Sequence, residues 1–265
     1  MEAQIAVSTI LYEVKGNIAR VTINRPEAMN AFDLATARLM AQRFEEFDAD
    51  PQLRVAILTG AGDKSFCAGA DLKKMHGGSH AGGIGELWDY ERQRRLGQRL
   101  EVAKPVIAAI NGYCLAGGLE LALGCDIRIC SQTASFGAPE ARWSILHGFG
   151  AMRLPRTVPM SVAMEMLLTG ERISAVRACE VGLVSRVVEP ALLLATAEEI
   201  AARIAQNGPL AVRVIKELAW RGLHTHPDDM LRYYAAVTAL MHATEDAKEG
   251  PRAFTEKRAP RFVNR

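Results

Sequence analysis

Two acidic residues in apolar surroundings are the side chains of this chain best suited to proton transfer. Glu120 follows Gly117 by three positions near the start of a mostly apolar predicted helix, and Glu140 ends the segment SFGAPE. Burial raises the pKa of a carboxylic acid, and two neighbouring carboxylates push their pKa values apart, so that one acts as acid while the other acts as base. Each residue also has a plainer interpretation. Glu120 suits the first turn of a helix, and Glu140 could pair with Arg142 or another neighbour.

Two glycine-bearing loops offer backbone N–H groups to an anionic oxygen. They are SFCAGADL, from Ser65 to Leu72, and NGYCLAGGLE, from Asn111 to Glu120, and both stand just before a predicted helix. The N–H groups at a helix start lack intrahelical acceptors, and the helix dipole favours negative charge there. Two such donors aimed at one point form an oxyanion hole, where losing one donor costs ~3 kcal/mol of transition-state stabilisation. The alternative is that these glycines serve only tight turns and close helix packing.

The sequence argues against several other kinds of site. Gly60-Ala61-Gly62 begins like a dinucleotide-binding fingerprint, but Ser65 occupies the third glycine position. No GxxxxGK[ST] phosphate loop, GxSxG elbow or HExxH helix is present. The five cysteines are too scattered for a CxxC metal or redox motif and are expected to be reduced thiols.

The composition is that of an ordinary globular protein. Of the 265 residues, 49% are hydrophobic and 23% are charged, and the formal net charge is +2. This balance gives no general reason to expect a nucleic acid or another polyanionic partner. The first residues lack the pattern of a signal or transit peptide, and no uncharged apolar run reaches the ~18 residues of a membrane helix. We therefore expect a cytoplasmic protein without a membrane partner.

Strands and helices alternate in the first part of the chain, which predicts an α/β core with mostly parallel strands. Predicted strands are Leu11–Val14, Ile18–Ile23, Val55–Leu58, Pro105–Ile110 and Ile127–Cys130, and predicted helices are Asn30–Phe47, Glu86–Val102 and Leu119–Leu123. The later pattern is helical, with predicted helices at Leu192–Ala205, Leu210–Arg221 and Asp228–Ala243. The predicted organisation is a core over residues 1–190 and a helical region over residues 191–265.

Motifs along nearly the whole chain resemble those of the crotonase, or enoyl-CoA hydratase/isomerase, superfamily. In family order they are NRP from Asn24, FCAGADLKKM from Phe66, NGYCLAGGLELALGCDIRI from Asn111, SFGAPE from Ser135, LLTGERISA from Leu167, GLVSRVV from Gly182 and EGPRAFTEKRAP from Glu249. The resemblance implies a crotonase-like spiral of β-β-α units. It also implies a C-terminal helical region that builds homotrimers, often paired into hexamers.

The resemblance assigns roles to individual residues. The oxyanion-hole N–H groups would belong to Ala70 and Gly117. Glu120 and Glu140 match the two catalytic glutamates of the hydratase subgroup, in which the first activates water and the second supplies a proton. Positions that resemble contacts to the substrate or its CoA are Arg25, Ala28, Ala68, Asp71, Leu72, Lys73, Gly148 and, from a neighbouring subunit, Phe254 and Lys257.

The implied reaction is the hydration of a trans-2-enoyl-CoA, as in fatty-acid β-oxidation. Polarising the thioester carbonyl lowers the cost of enolate charge, so that neither a metal nor a cofactor beyond the substrate's own coenzyme A is required. The presence of both glutamates favours hydration or dehydration over double-bond isomerisation.

One loop departs from the family pattern. After Glu140, family members commonly have a run rich in glycine and proline that leads into Arg-Leu, whereas this chain has His147 at the usual proline and a run one residue shorter. Trp143, His147 and Phe149 are therefore candidates for reshaping the acyl pocket. Two alternatives stay open. One is a dehydratase, isomerase or hydrolase acting on a specialised acyl-CoA, and the more remote one is an RNA-binding relative that uses basic residues near the C-terminus, Arg252, Lys257, Arg258, Arg261 and Arg265.

Overall fold

A computed structural model describes residues 8–71 and 102–265. The predicted helix over Glu86–Val102 falls outside these residues except for Val102 itself, and the candidate site residues Leu72 and Lys73 lie outside them as well. The described strands are β1 (Ile10–Lys15), β2 (Ile18–Ile23), β3 (Val55–Gly60), β4 (Ser65–Cys67), β5 (Val106–Ile110), β6 (Tyr113–Leu115), β7 (Ile127–Ser131), β8 (Ser135–Gly137), β9 (Arg172–Ser174) and β10 (Arg186–Val188).

Helices become the dominant element towards the C-terminus. Those described are α1 (Leu34–Ala49), α2 (Gly117–Gly124), α3 (Gly148–Arg153), α4 (Met160–Thr169), α5 (Ala175–Glu180), α6 (Leu193–Ala205), α7 (Pro209–Gly222), α8 (Pro227–His242) and α9 (Glu245–Thr255). Short 3-10 helices lie at Pro26–Ala28, Pro139–Trp143, Leu154–Arg156 and Pro190–Leu192. In the described ranges no helix is long and apolar enough to cross a membrane.

The strands form two sheets that the chain visits in turn. The larger sheet has the order β1-β2-β3-β5-β7-β10 and the smaller one has the order β4-β6-β8-β9. Three times in succession the chain makes a strand of the large sheet and then a strand of the small one, as β3 and β4, β5 and β6, and β7 and β8. Most pairs are parallel, the exceptions being β1 with β2 and β8 with β9. This repeated unit confirms the predicted α/β fold and its crotonase-like spiral.

Alternating residues of β3 and β5 build two apolar cores on opposite faces of the large sheet. Leu58 and Ile110 belong to the larger core, which α1 and α2 also line, whereas Ile57 and Ile107 face the smaller one. Both strands are buried along their whole length, as expected for parallel strands covered on both faces. The smaller core is closed by the apolar side of α6.

Helices α6, α7 and α8 agree with the predicted ranges to within one residue at either end. Helix α6 packs against the large sheet, whereas α7 and α8 pack mainly against one another. Both α7 and α8 begin with proline. Proline is well tolerated at the first position of a helix, because an N–H at that position has no acceptor within the helix and its loss costs nothing. The division of the chain at residues 190 and 191 stays a prediction.

Three of the five basic residues named near the C-terminus form ion pairs with acidic residues of the same segment. Arg252 and Arg258 both bind the carboxylate of Glu249, which is almost fully buried, and Arg265 pairs with Glu245. The arginine hydrogen bonds hold the pKa of Glu249 well below its usual range. These arginines therefore form part of the folded C-terminus, and their charge is largely compensated, which disfavours the RNA-binding interpretation.

Candidate active site

Three loops that carry the predicted site residues follow three neighbouring strands of the small sheet. Strands β4, β6 and β8 are parallel neighbours, so their carboxyl ends lie at one edge of the sheet. Ala70 comes three residues after the end of β4, Gly117 two residues after β6, and Glu140 three residues after β8. Glu120 then lies in the first turn of α2, which begins at Gly117. The sheet thus brings together segments that are distant in sequence.

The loops after β4 and β6 touch through their backbones. A Cβ atom built on Gly69 would lie 3.0 Å from the backbone nitrogen of Gly117 and 2.7 Å from the Cβ of Ala116. Gly69 also has φ +96°, a conformation that costs other residues free energy. Glycine at this position therefore allows Ala70 to approach Gly117.

The backbone on either side of the contact leaves two N–H groups available. Within the described ranges, neither the Ala70 nor the Gly117 N–H donates to a backbone carbonyl. Ala116 has φ 53° and ψ −131°, which orients the peptide that carries the Gly117 N–H. A non-glycine residue in such a region costs ~1–3 kcal/mol, and strain of this kind is concentrated at functional sites. The pair is thus suited to bind one carbonyl oxygen.

Glu120 is held by a backbone donor from a different helix. Its Oε1 accepts a hydrogen bond from the Gly150 N–H of α3 at 3.0 Å. Burial raises the pKa of Glu120, the Gly150 N–H and the charge of His147 oppose that rise, and the charge of Glu140 adds to it. The carboxyl group is therefore poised to take up a proton more readily than an exposed glutamate.

Glu140 is bound to His147, not to Arg142. The Nδ1 atom of His147 lies 2.6 Å from Oε1 of Glu140, and the two side chains are only 4% and 12% exposed. Arg142 instead pairs with Glu171 and donates to the Thr169 carbonyl. The interpretation of Glu140 as an ion-pair partner of Arg142 is therefore wrong, because Arg142 points towards the end of α4.

Gly150 connects the two acidic residues. Its N–H binds Glu120, and its Cα packs so closely on the imidazole that an added Cβ would lie 2.0 Å from Nε2 of His147. One glycine thus sets the position of a donor to Glu120 and of the ring that holds Glu140. Sequence reasoning missed Gly150 entirely and treated His147 only as a residue that might line the pocket. The close spacing of Glu140, His147 and Gly150 was the available signal.

Two chain segments that carry predicted CoA-contacting residues are joined next to Ala70: the segment before α1 and the segment after β4. The Ala68 N–H donates to the Met29 carbonyl next to Ala28, and Asp71 binds the buried guanidinium of Arg25 at 2.8 Å. Arg25 also donates to the Ala31 carbonyl. The charge of Arg25 is therefore used inside this loop cluster, where it joins the segment before α1 to the segment after β4.

The remaining predicted residues lie on other elements. Gly148 begins α3, directly after His147. Phe254 near the end of α9 is 87% exposed, and Lys257 follows that helix in a left-handed conformation. Trp143 is 70% exposed beside Glu140. Over the part of the chain that is described, no group of three His, Cys, Asp or Glu side chains is arranged to hold a metal ion.

The chain is similar to many known proteins over almost its full length. A family model described as enoyl-CoA hydratase/isomerase matches residues 13–265. The chain is 43% identical to an (E)-benzylidenesuccinyl-CoA hydratase from Thauera aromatica, covering 96% of this chain and 98% of that one. It is 41% identical to a short-chain-enoyl-CoA hydratase from Clostridium acetobutylicum, covering 95% and 96%. A crystal structure of an enoyl-CoA hydratase from Mycobacterium tuberculosis H37Rv superposes with a TM-score of 0.88 at 39% identity, covering 97% of this chain and 99% of that one.

Replacing Gly150 by alanine is expected to destabilise the protein. The new Cβ collides with the His147 ring, and overpacking of this kind costs ~1–3 kcal/mol. Urea titrations should show a lower free energy of unfolding for Gly150→Ala than for the control Gly222→Ala, whose Cβ lies 4.0 Å from the nearest atom of Met230. Equal stability of the two variants would contradict the packing described for Gly150.

The difference in the free energy of unfolding between Glu120→Gln and wild type is expected to depend on pH. Because folding raises the pKa of Glu120, the folded state holds a proton more tightly than the unfolded chain, and wild-type stability falls as pH rises from the unperturbed value to the raised one. Glutamine does not ionise, so the stability of the variant relative to wild type should increase as pH rises above the usual glutamate pKa of about 4.3. Urea unfolding at several pH values measures the difference. The exposed control Glu165→Gln should show no such trend, and a flat difference for Glu120→Gln would disprove the linkage.

Proposed function

The chain belongs to the enoyl-CoA hydratase/isomerase family, and on this basis we propose that it adds water to a trans-2-enoyl-CoA with Glu120 and Glu140 as its proton-transfer groups. Relatives that are about 41% identical over most of the chain are named short-chain-enoyl-CoA hydratase, crotonyl-CoA hydratase and enoyl-CoA hydratase, which supports this activity. The observation that carries the assignment of residues is the meeting of both acids with the Ala70 and Gly117 loops at one sheet edge.

In the proposed reaction the thioester oxygen accepts hydrogen bonds from the N–H groups of Ala70 and Gly117. These donors favour the enolate that forms when water attacks C3, because they are fixed before the charge develops. Neither donor has to give up a backbone partner among the described residues. The loop strain at Ala116 is the cost of keeping them oriented.

The two acids have complementary tasks in this proposal. Glu120 removes a proton from water as its oxygen bonds to C3, and Glu140 gives a proton to C2 as the enolate collapses. The product gains one water, and the proton left on Glu120 must return to Glu140 before the next turnover. Burial of Glu120 supports the first task, because a raised pKa makes the carboxylate a better base. The buried Oε2 of Glu140, which has no hydrogen-bond partner in the described structure, supports the second.

The substrate's CoA part is proposed to lie along the loop cluster next to Ala70. Arg25, Ala28, Ala68 and Asp71 belong to this cluster, and Leu72 and Lys73 continue it along the chain. Gly148 is assigned to the acyl side because it follows His147. No cofactor is assigned beyond the coenzyme A of the substrate.

The proposal includes a homotrimer or dimer of trimers, to which Phe254 and Lys257 of one subunit contribute at the site of the next. The support is the exposure of large apolar side chains on the C-terminal helices, among them Ile215, Leu231 and Phe254. A cytoplasmic role in fatty-acid β-oxidation is proposed with it, and the free cysteines fit a reducing compartment. Light scattering coupled to size exclusion tests the assembly, and the mass of a single chain would refute it.

Glu120→Gln and Glu140→Gln are each expected to lower kcat/KM for hydration by ~10²–10⁴, the usual contribution of a general acid or base. Loss of enoyl absorbance with crotonyl-CoA and longer enoyl-CoAs measures the rate. Glu165→Gln, an exposed change of the same kind on α4, should keep wild-type activity.

Mass spectrometry of the products over the same acyl-CoA panel separates the possible reactions, because only hydration adds the mass of water and keeps the thioester. A wild-type protein that is inert with every chain length, or acid variants that match wild type, would refute the proposal.

A further inference from the structure

His147 binds one acid of the site, Glu140, and packs against Gly150, whose N–H binds the other acid, Glu120. It comes seven residues after Glu140 and ends the loop that leads into α3. Its ring is 4% exposed, and it occupies the position that the family resemblance assigns to proline. Proline has no side-chain hydrogen-bond donor, so the contact with Glu140 is a property of this chain's own residue.

The hydrogen bonding of the ring indicates which nitrogen carries the proton. Nδ1 lies 2.6 Å from Oε1 of Glu140, while Nε2 is buried against Gly150 and has no hydrogen-bond partner among the described residues. A buried N–H without an acceptor is rarer in proteins than an acceptor without a donor. The arrangement therefore favours a proton on Nδ1, which donates to the Glu140 carboxylate.

The contact fixes one oxygen of Glu140 and leaves the other available. Oε1 is bound by the imidazole, and Oε2 is buried without a partner in the described structure. A carboxylate on a 3-10 helix followed by a loop has few other restraints, since Arg142 is turned away towards Glu171. The imidazole in turn is wedged against Gly150, which has no Cβ to displace it.

From this geometry we infer that His147 is a positioning residue for the hydration reaction: it orients Glu140 so that Oε2 faces the reacting carbon, and it stabilises the carboxylate that remains after the proton has left. The inference rests on the proposed role of Glu140. His147 itself transfers no proton in this scheme. Its effect is therefore expected on kcat, because it acts when the charge on Glu140 changes, and not on the binding of CoA.

The test compares two variants of similar size in the full-length protein. In His147→Asn, the side-chain amide nitrogen takes nearly the position of Nδ1 and keeps an N–H donor there. His147→Leu fills much of the same space but has no donor. We expect kcat for crotonyl-CoA to fall ~10–100-fold in the leucine variant, as for a misplacement of about 1 Å, with KM changed less than about twofold. The asparagine variant should recover most of the loss. Circular dichroism and thermal unfolding verify that both variants fold.

A double-mutant cycle separates positioning from a general structural effect. If His147 works through Glu140, His147→Leu should change kcat by less than about twofold when Glu140 is already glutamine, because coupled residues are not additive. Equal kcat values for His147→Asn and His147→Leu, or an undiminished loss in the Glu140→Gln background, would overturn the inference. Wild-type hydration and a strong Glu140→Gln defect would still support the proposed function in that case.

If wild type hydrates none of the enoyl-CoAs, a crystal structure of His147→Leu tests whether His147 positions Glu140. A Glu140 carboxyl group that has left its wild-type position supports the positioning role, whatever the reaction is. The same Glu140 conformation in the variant and in wild type overturns it.

Discussion

Parallel pairing of three short strands is the constraint on which the site depends. Strands β4, β6 and β8 are each three residues long, and each lies one step further along the spiral. Since parallel neighbours end at the same edge, three residues that are 23 to 70 positions apart in sequence arrive side by side: Ala70, Gly117 and Glu140. A register change of one residue in any of these pairs would turn its loop away from the others. The larger core includes Phe66, Cys114 and Phe136 and so packs these three strands against the rest of the fold.

Close approach of backbones is the second requirement, and glycine meets it at the places where atoms are nearest. A Cβ on Gly118 would lie 2.1 Å from the carbonyl oxygen of Cys67, so α2 could not begin against β4 with any larger residue. Gly69 has the same role towards Gly117, and Gly150 has it towards His147. The alternative interpretation of the glycines, tight turns and close helix packing, is thus true as well. Close packing is the physical means by which the N–H groups reach one point.

Much of the fold follows from local sequence, whereas the detailed contacts of the site do not. Helix α7 was predictable because its apolar residues recur at helical spacing and Pro209 begins it. The predicted helix start at Asn30 was wrong, because Asn30 has φ 55° and its amide binds the carbonyls of Ala61 and Ser65. Its true first residue is Leu34, after the N-cap Asp33. Helix α9 was not predicted, since Pro251 inside it and the charges around Glu249 resemble a loop.

The same limit applies to the acids. Glu120 and Glu140 could be singled out because acidic residues in apolar segments need partners. Their partners, Gly150 in α3 and His147 at its N-cap, follow a loop whose conformation the sequence does not reveal. The alternation of strands shows which loops meet. Hydrogen bonds such as Gly150 to Glu120, or His147 to Glu140, require atoms to be placed to within a few tenths of an ångström. No residue pattern in the sequence encodes positions so finely.

The two carboxyl groups are held by different kinds of donor, and that difference fits their proposed division of labour. A backbone N–H cannot change its charge, so Gly150 gives Glu120 the same support throughout a reaction. An imidazole N–H makes a stronger hydrogen bond to a charged acceptor than to a neutral one, so the support from His147 increases when Glu140 changes from acid to carboxylate. Burial raises the pKa of Glu120, and the nearby charges of His147 and Glu140 act on it in opposite directions. The charge of Glu140 therefore affects the protonation of Glu120, and the segment from Glu140 to Gly150 supplies the donors that hold both carboxyl groups.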